Sequence, residues 1–187
     1  MTPLAEAYSL LKSCRVCPRR CGVDRTAGQR GFCGMTDRLR VASAMPHFGE
    51  EAPLVGTGGS GTIFLSGCNL ACIFCQNWEI SHERVGRDVS VDDVVEMMLG
   101  LQGLGCHNIN FVTPTHFSPQ LMDCIEQARA RGLKVPIVYN CGGYESVEML
   151  RLLEGYVDIY MPDAKYWDSR VAEELSAAPD YPEVMRA

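Results

Sequence analysis

The chain has 187 residues, 47% of them hydrophobic and 21% charged, with a formal net charge of −6, an ordinary balance for one soluble globular unit with a sizeable core. It contains no apolar run of the roughly eighteen residues that a membrane helix needs, and Met1 to Tyr8 lacks the basic start and apolar block of a secretion signal. Ten cysteines in such a chain argue for metal binding in a reducing compartment, hence the cytoplasm, and against a disulfide framework.

The charge is uneven. Residues 12–40 carry Lys12, Arg15, Arg19, Arg20, Arg25, Arg30, Arg38 and Arg40 against Asp24 and Asp37, eight positive against two negative, a local +6 that leaves −12 for the rest. Positive charge there helps to keep neighbouring thiols deprotonated. The run lacks interleaved aromatic residues, so nucleic acid is not an expected partner.

The first thirteen residues predict a short amphipathic helix, with Leu4, Ala7, Tyr8 and Leu11 at helical spacing. Cys14 to Gly34 is too irregular for a regular element, Leu39 to Ala44 reads as a strand, and Gly56 to Gly61 is a glycine-dense turn. From there strands and helices alternate. Thr62 to Leu65 is a buried strand, and Ser90 with Asp93 caps a helix running to about Leu101. Asn108 to Val112 is the next strand, and the helix that follows opens at Ser118-Pro119 and closes at Gly132. Val135 to Tyr139, a helix over Glu145 to Glu154, Val157 to Met161 and a helix over Ser169 to Ala177 complete the series. Such alternation implies right-handed βαβ crossovers and a parallel sheet, an α/β fold with its chemistry at the carboxyl ends of the strands. The expected division is 1–58, an N-terminal helix and Cys-rich module, and 59–187, the βα region.

The chemistry sits in two cysteine groups. Cys68, Cys72 and Cys75 share one loop with the spacing C-x3-C-x2-C. Three thiolates leave one iron of a four-iron cube open to a further ligand, whereas electron carriers close every corner with cysteine. Zinc sites use two separate knuckles, and this loop offers one. The second group, Cys14, Cys17, Cys21 and Cys33, has four thiols within twenty residues. They suit a structural zinc ion or a fully ligated second iron–sulfur cluster, and the spacing does not choose.

The C-x3-C-x-aromatic-C loop, with Phe74 at the aromatic position, resembles the motif of the radical S-adenosylmethionine (SAM) superfamily. That resemblance implies a [4Fe–4S] cluster on Cys68, Cys72 and Cys75. SAM would chelate the open iron, with Phe74 beside its adenine and Asn77 close by. It further implies reductive cleavage of SAM to methionine and a 5′-deoxyadenosyl radical that abstracts hydrogen from a substrate, with electrons from a flavodoxin- or ferredoxin-type donor. The implied fold is a partial (β/α) barrel of six units; this sequence supplies four, and is expected to be truncated.

The Cys-rich segment, His47-Phe48-Gly49-Glu50-Glu51 and Gly59 to Phe64 resemble the branch of pyruvate formate-lyase activating enzyme-like iron–sulfur proteins. Pro162-Asp163-Ala164-Lys165 is similar to the Asp-x-Lys element of glycyl-radical activating enzymes, which implies Asp163 and Lys165 as SAM contacts and a glycyl-radical protein as partner. Asn140 sits where those enzymes have a polar residue near SAM. The usual Gly-Gly-Glu stretch is replaced by Thr113-Pro114-Thr115-His116. Thr113 and Thr115 are the expected substitutes, and His116 is either a proton donor or a helix cap. Two other readings stay open: a two-cluster electron-transfer protein and a zinc-stapled scaffold.

Overall fold

A computed structural model describes residues 1–187. Helix α1 (Pro3–Ser9) starts where the Thr2 hydroxyl accepts the Ala5 N–H and proline occupies the first turn, the position where its missing N–H costs nothing. The chain then winds through Cys14 to Gly34 with one 3-10 turn, Arg25–Ala27, capped by the Asp24 carboxylate. Ala7, Leu10, Leu11, Cys14 and Val16 share a buried cluster with Met122, Tyr139, Met149 and Leu153. The Cys-rich segment is therefore packed against the body of the fold.

Six strands follow: β1 (Leu39–His47), β2 (Ser60–Leu65), β3 (Arg87–Val89), β4 (Ile109–Val112), β5 (Ile137–Cys141) and β6 (Ile159–Pro162). They form one sheet in the order β3-β1-β2-β4-β5-β6. β2, β4, β5 and β6 are parallel, as the alternation implies. β1 alone runs the other way, antiparallel to both of its neighbours β2 and β3, so the sheet is mixed and the 58/59 boundary falls inside it.

The helices are α2 (Ala52–Val55), α3 (Trp78–Ser81), α4 (Val91–Gly103), α5 (Ser118–Ala130), α6 (Val147–Leu152), α7 (Ser169–Ser176) and α8 (Tyr181–Arg186). Helix α4 begins with the expected capping box: the Asp93 N–H reaches the Ser90 hydroxyl at 3.1 Å and the Ser90 N–H reaches the Asp93 carboxylate at 2.8 Å.

Alternation along each strand separates two faces. Ile63, Leu65, Ile109, Phe111 and Ile137 are buried with Val94, Val95, Met98, Leu121 and Ile125 of α4 and α5. On the other face the register lines up Phe64, Val112, Asn140 and Met161 in one cross-strand row. That row forms a wall of the main cleft. No helix is long and apolar enough to cross a membrane.

Candidate functional site

The cleft, about 640 Å³, opens at the carboxyl ends of the parallel strands. β2 delivers the chain into it through Ser66 and Gly67. Gly67 has φ of +80°, and a Cβ there would lie 2.8 Å from the Cys33 carbonyl oxygen, so glycine is required by conformation and by space. The loop beyond is pinned from two sides. Asn69 donates to the Tyr144 carbonyl at 2.6 Å, and the Arg19 guanidinium donates to the Asn69 carbonyl at 2.8 Å.

Cys68, Cys72 and Cys75 all line the cleft, and each sulfur has a local polar neighbour. Cys68 Sγ accepts the Leu70 N–H at 3.3 Å, Cys72 Sγ accepts the Ser176 hydroxyl at 2.8 Å, and Cys75 Sγ lies 3.2 Å from the Ser81 hydroxyl. Burial, reinforced by the neighbouring thiols, pushes Cys68 up to about 12 against the opposing Leu70 N–H. Such a thiol stays neutral alone, and a bound cationic centre is what would favour its thiolate.

Across the cleft stand the remaining expected contacts. Phe74 is exposed and meets Tyr166 edge-on at 6.3 Å. Asn77 and Asn140 line the wall. Asp163 and Lys165 form an ion pair of 2.6 Å. Burial opposes the Lys165 ammonium, but the hydrogen bond and charge of Asp163 outweigh it and hold the group above its ordinary value. Thr113 also lines the cleft, with φ of +60°, an uncommon conformation for a β-branched residue.

Two expectations change. Thr115 does not line the cleft: it is 1% exposed, and its hydroxyl donates to the Glu145 carboxylate at 2.7 Å. The turn made by Thr113 carries the next residues behind the wall. His116 is not a proton donor for the cleft either. It is 1% exposed, its Nε2 lies 2.8 Å from the Ser66 carbonyl oxygen, and burial aided by Arg25 pushes it down to about 3.

Cys14, Cys17, Cys21 and Cys33 line a second, small cavity together with Arg19, Arg25, Phe32 and His116. Burial pushes Cys17 up to about 12; the Arg19 N–H opposes this, and Cys33, Cys14 and Cys21 add to it. Cys33 is raised likewise, against the Arg25 charge and the Met35 N–H. In neither group are three His, Cys, Asp or Glu side chains arranged to hold a single metal ion.

Three residues that matter here carry no local sequence signal, because their roles come from tertiary contacts. Arg25, 1% exposed, donates to the Thr36 carbonyl at 2.6 and 3.0 Å and to the His116 carbonyl at 2.6 Å. Glu145 gathers Thr115, Tyr139 and Cys141, and burial pushes its carboxyl up to about 7 despite those hydrogen bonds. The Tyr181 hydroxyl lies 2.7 Å from both the Gly142 and Asp163 carbonyl oxygens and accepts the Lys165 N–H at 3.0 Å. It fixes the turn that presents the Asp163–Lys165 pair.

Residues 62–187 match the radical SAM superfamily. The chain belongs to that superfamily. Membership brings a [4Fe–4S] cluster and SAM as cofactors and points to an enzyme of SAM-dependent radical chemistry. The uncharacterized protein MJ0674 of Methanocaldococcus jannaschii is 32% identical over 188 residues, covering 96% of this chain and 53% of its own length. The uncharacterized protein MJ0808 of the same organism is 27% identical over 157 residues, covering 75% of this chain and 46% of its own. The chain spans about half the length of the curated relatives it matches.

Proposed function

We propose that this chain carries the SAM-cleaving site of a radical SAM enzyme resembling the activating enzymes of glycyl-radical proteins. The observation that carries the reading is that Cys68, Cys72, Cys75, Phe74, Asn140, Asp163 and Lys165, from three different segments, line one cleft. Cys68, Cys72 and Cys75 would hold the [4Fe–4S] cluster; bound there with SAM, it supplies one-electron reductive cleavage of the sulfonium.

The chain's own residues supply position and charge. Phe74 offers an exposed aromatic face to an adenine. Lys165 suits a carboxylate, and Asp163 an ammonium or a ribose hydroxyl, through charge-assisted hydrogen bonds. Asn77, Asn140 and Thr113 offer further polar contacts on the same walls. Cys14, Cys17, Cys21 and Cys33 would hold a second metal centre, an iron–sulfur cluster or a zinc ion. A flavodoxin- or ferredoxin-type donor in the cytoplasm would supply electrons, and the Asp-x-Lys resemblance names a glycyl-radical protein as the substrate class.

The test is anaerobic. Protein reconstituted with iron and sulfide, then given SAM and dithionite, should release 5′-deoxyadenosine, and Cys72→Ala should lose both this product and the iron–sulfur absorption of that cluster. Undiminished product from Cys72→Ala would refute the assignment. A cluster that never cleaves SAM would favour the electron-transfer reading, and zinc without a cluster would favour the scaffold.

A further inference from the structure

Cys72 is the buried one of the three cysteines in the cleft loop, and its sulfur is reached from a distant segment. The loop is clamped to the carboxyl end of α7 on either side of it. The Ala71 N–H donates to the Ser176 carbonyl at 3.1 Å, and the Ile73 N–H to the Leu175 carbonyl at 3.0 Å. Between these two bonds the Ser176 hydroxyl lies 2.8 Å from Cys72 Sγ. Ser176 is fully buried, and its oxygen is also hydrogen-bonded to the Tyr166 hydroxyl. Tyr166 is buried in the apolar cluster that it shares with Leu70, Cys72, Ala172 and Tyr181. The other two sulfurs differ. Cys68 takes an N–H of its own loop, and the Ser81 hydroxyl beside Cys75 also faces His82 Nδ1 at 2.8 Å. Residues 68–75 contain no hydroxyl of their own, so α7 supplies the one at Cys72.

A metal-bound cysteine is a thiolate, and a thiolate only accepts. With Cys72 in that state the Ser176 proton points at sulfur, and the Ser176 oxygen takes the Tyr166 proton. Both hydroxyl dipoles then face Cys72. Hydrogen bonds to a charged acceptor are the stronger kind, and in a buried site one donor strengthens the next.

We propose that the Tyr166–Ser176 pair sets the reduction potential of the cluster held by Cys68, Cys72 and Cys75, with Ser176 acting on the Cys72 sulfur and Tyr166 as a positioning residue behind it. This rests on the reading of Cys72 as a cluster ligand. One-electron reduction adds negative charge that a cluster shares with its sulfurs, so a donor at a sulfur stabilises the reduced form and raises the potential. The pair makes the cluster easier for an electron donor to reduce.

The full chain is reconstituted anaerobically with iron and sulfide and poised at a series of potentials with dithionite and redox mediators. The signal followed is the EPR signal of the reduced protein that Cys72→Ala abolishes. Ser176→Ala should keep its iron but move the midpoint to more negative potential, its reduction equilibrium constant about ten-fold smaller, or roughly 59 mV for one electron. Tyr166→Phe, which deletes one oxygen and keeps the ring, should shift the midpoint the same way by less. In parent protein exchanged into heavy water, pulsed EPR should show a deuteron coupled to the reduced cluster that is missing in Ser176→Ala.

A midpoint that is unchanged or more positive in Ser176→Ala, at full iron content, would overturn the proposal. Should that variant fail to load iron, Tyr166→Phe decides, and an unshifted midpoint there overturns it. A shift in Ser176→Ala with none in Tyr166→Phe would strike Tyr166 from the pair. If Cys72→Ala abolishes no signal, the reading of Cys72 as a ligand has failed first. If it does and neither midpoint moves, only the roles of Ser176 and Tyr166 have failed.

Discussion

Glu145 holds an acid in an unusual condition. Burial raises its carboxyl from 4.5 to about 7, while Thr115, Tyr139 and Cys141 pull the other way with hydrogen bonds to the charged form. The folded state keeps a proton that the unfolded chain has already released across that interval. Stability should therefore fall as pH rises from about 4.5 to about 7 and level off above, by an amount on the order of 3 kcal/mol. Glu145→Gln removes the titration, so its melting temperature should vary less over that window and should gain on the parent most at pH 8. A parent and variant with parallel profiles would show that Glu145 does not titrate there. Nothing local in Gly143-Tyr144-Glu145-Ser146 announces this; the depth of the carboxyl is set by β5 and by the turn at Thr115. Cys68, Cys72 and Cys75 could be proposed as cluster ligands from the sequence because that chemistry follows from spacing within one loop. Thr113 and Thr115 look equivalent in sequence, and only the positive φ at Thr113 decides that one faces the cleft and the other turns away.

At the scale of elements, the loop after β5 depends on a single backbone conformation. Gly143 has φ of +70°, and a Cβ there would stand 2.8 Å from Tyr181 Oη and collide with the Asp163 carbonyl. Gly143→Ala should displace the Asp163–Lys165 turn. The expected result is SAM binding weakened about ten-fold or more, with iron content at Cys68, Cys72 and Cys75 unchanged; equal SAM affinity would show that the turn accommodates the methyl group. The parallel strands β2, β4, β5 and β6 could be read from their apolar runs, and α4 and α5 from their capping residues and periodicity. β3 has three residues, and α2 and α3 four each, too short for any period to register. β1 was found, but its antiparallel direction is set by pairing with β2 and β3, which no local pattern encodes. Helix α8 supplies Tyr181 and was missed for the same reason of length.

For the molecule as a whole, β6 forms one margin of the sheet, with Ile159 and Tyr160 at 38% and 43% exposure. An apolar parallel strand with open N–H and C=O groups tends to recruit another strand. The 187-residue chain should therefore self-associate with rising concentration, and Tyr160→Lys should shift it toward monomer in sedimentation velocity without altering iron loading. A parent that stays monomeric at high concentration would show that this margin is protected in solution.

Thr113 carries a consequence for anyone who would improve this protein. Its left-handed backbone stores on the order of 1–3 kcal/mol, which glycine would relieve at some cost in unfolded-state entropy. Thr113→Gly should thus raise the melting temperature by a few degrees while removing a hydroxyl from the cleft wall and slowing 5′-deoxyadenosine release. A library screened only for survival of heating would enrich that substitution, and would drift away from catalysis while every measure of robustness improved.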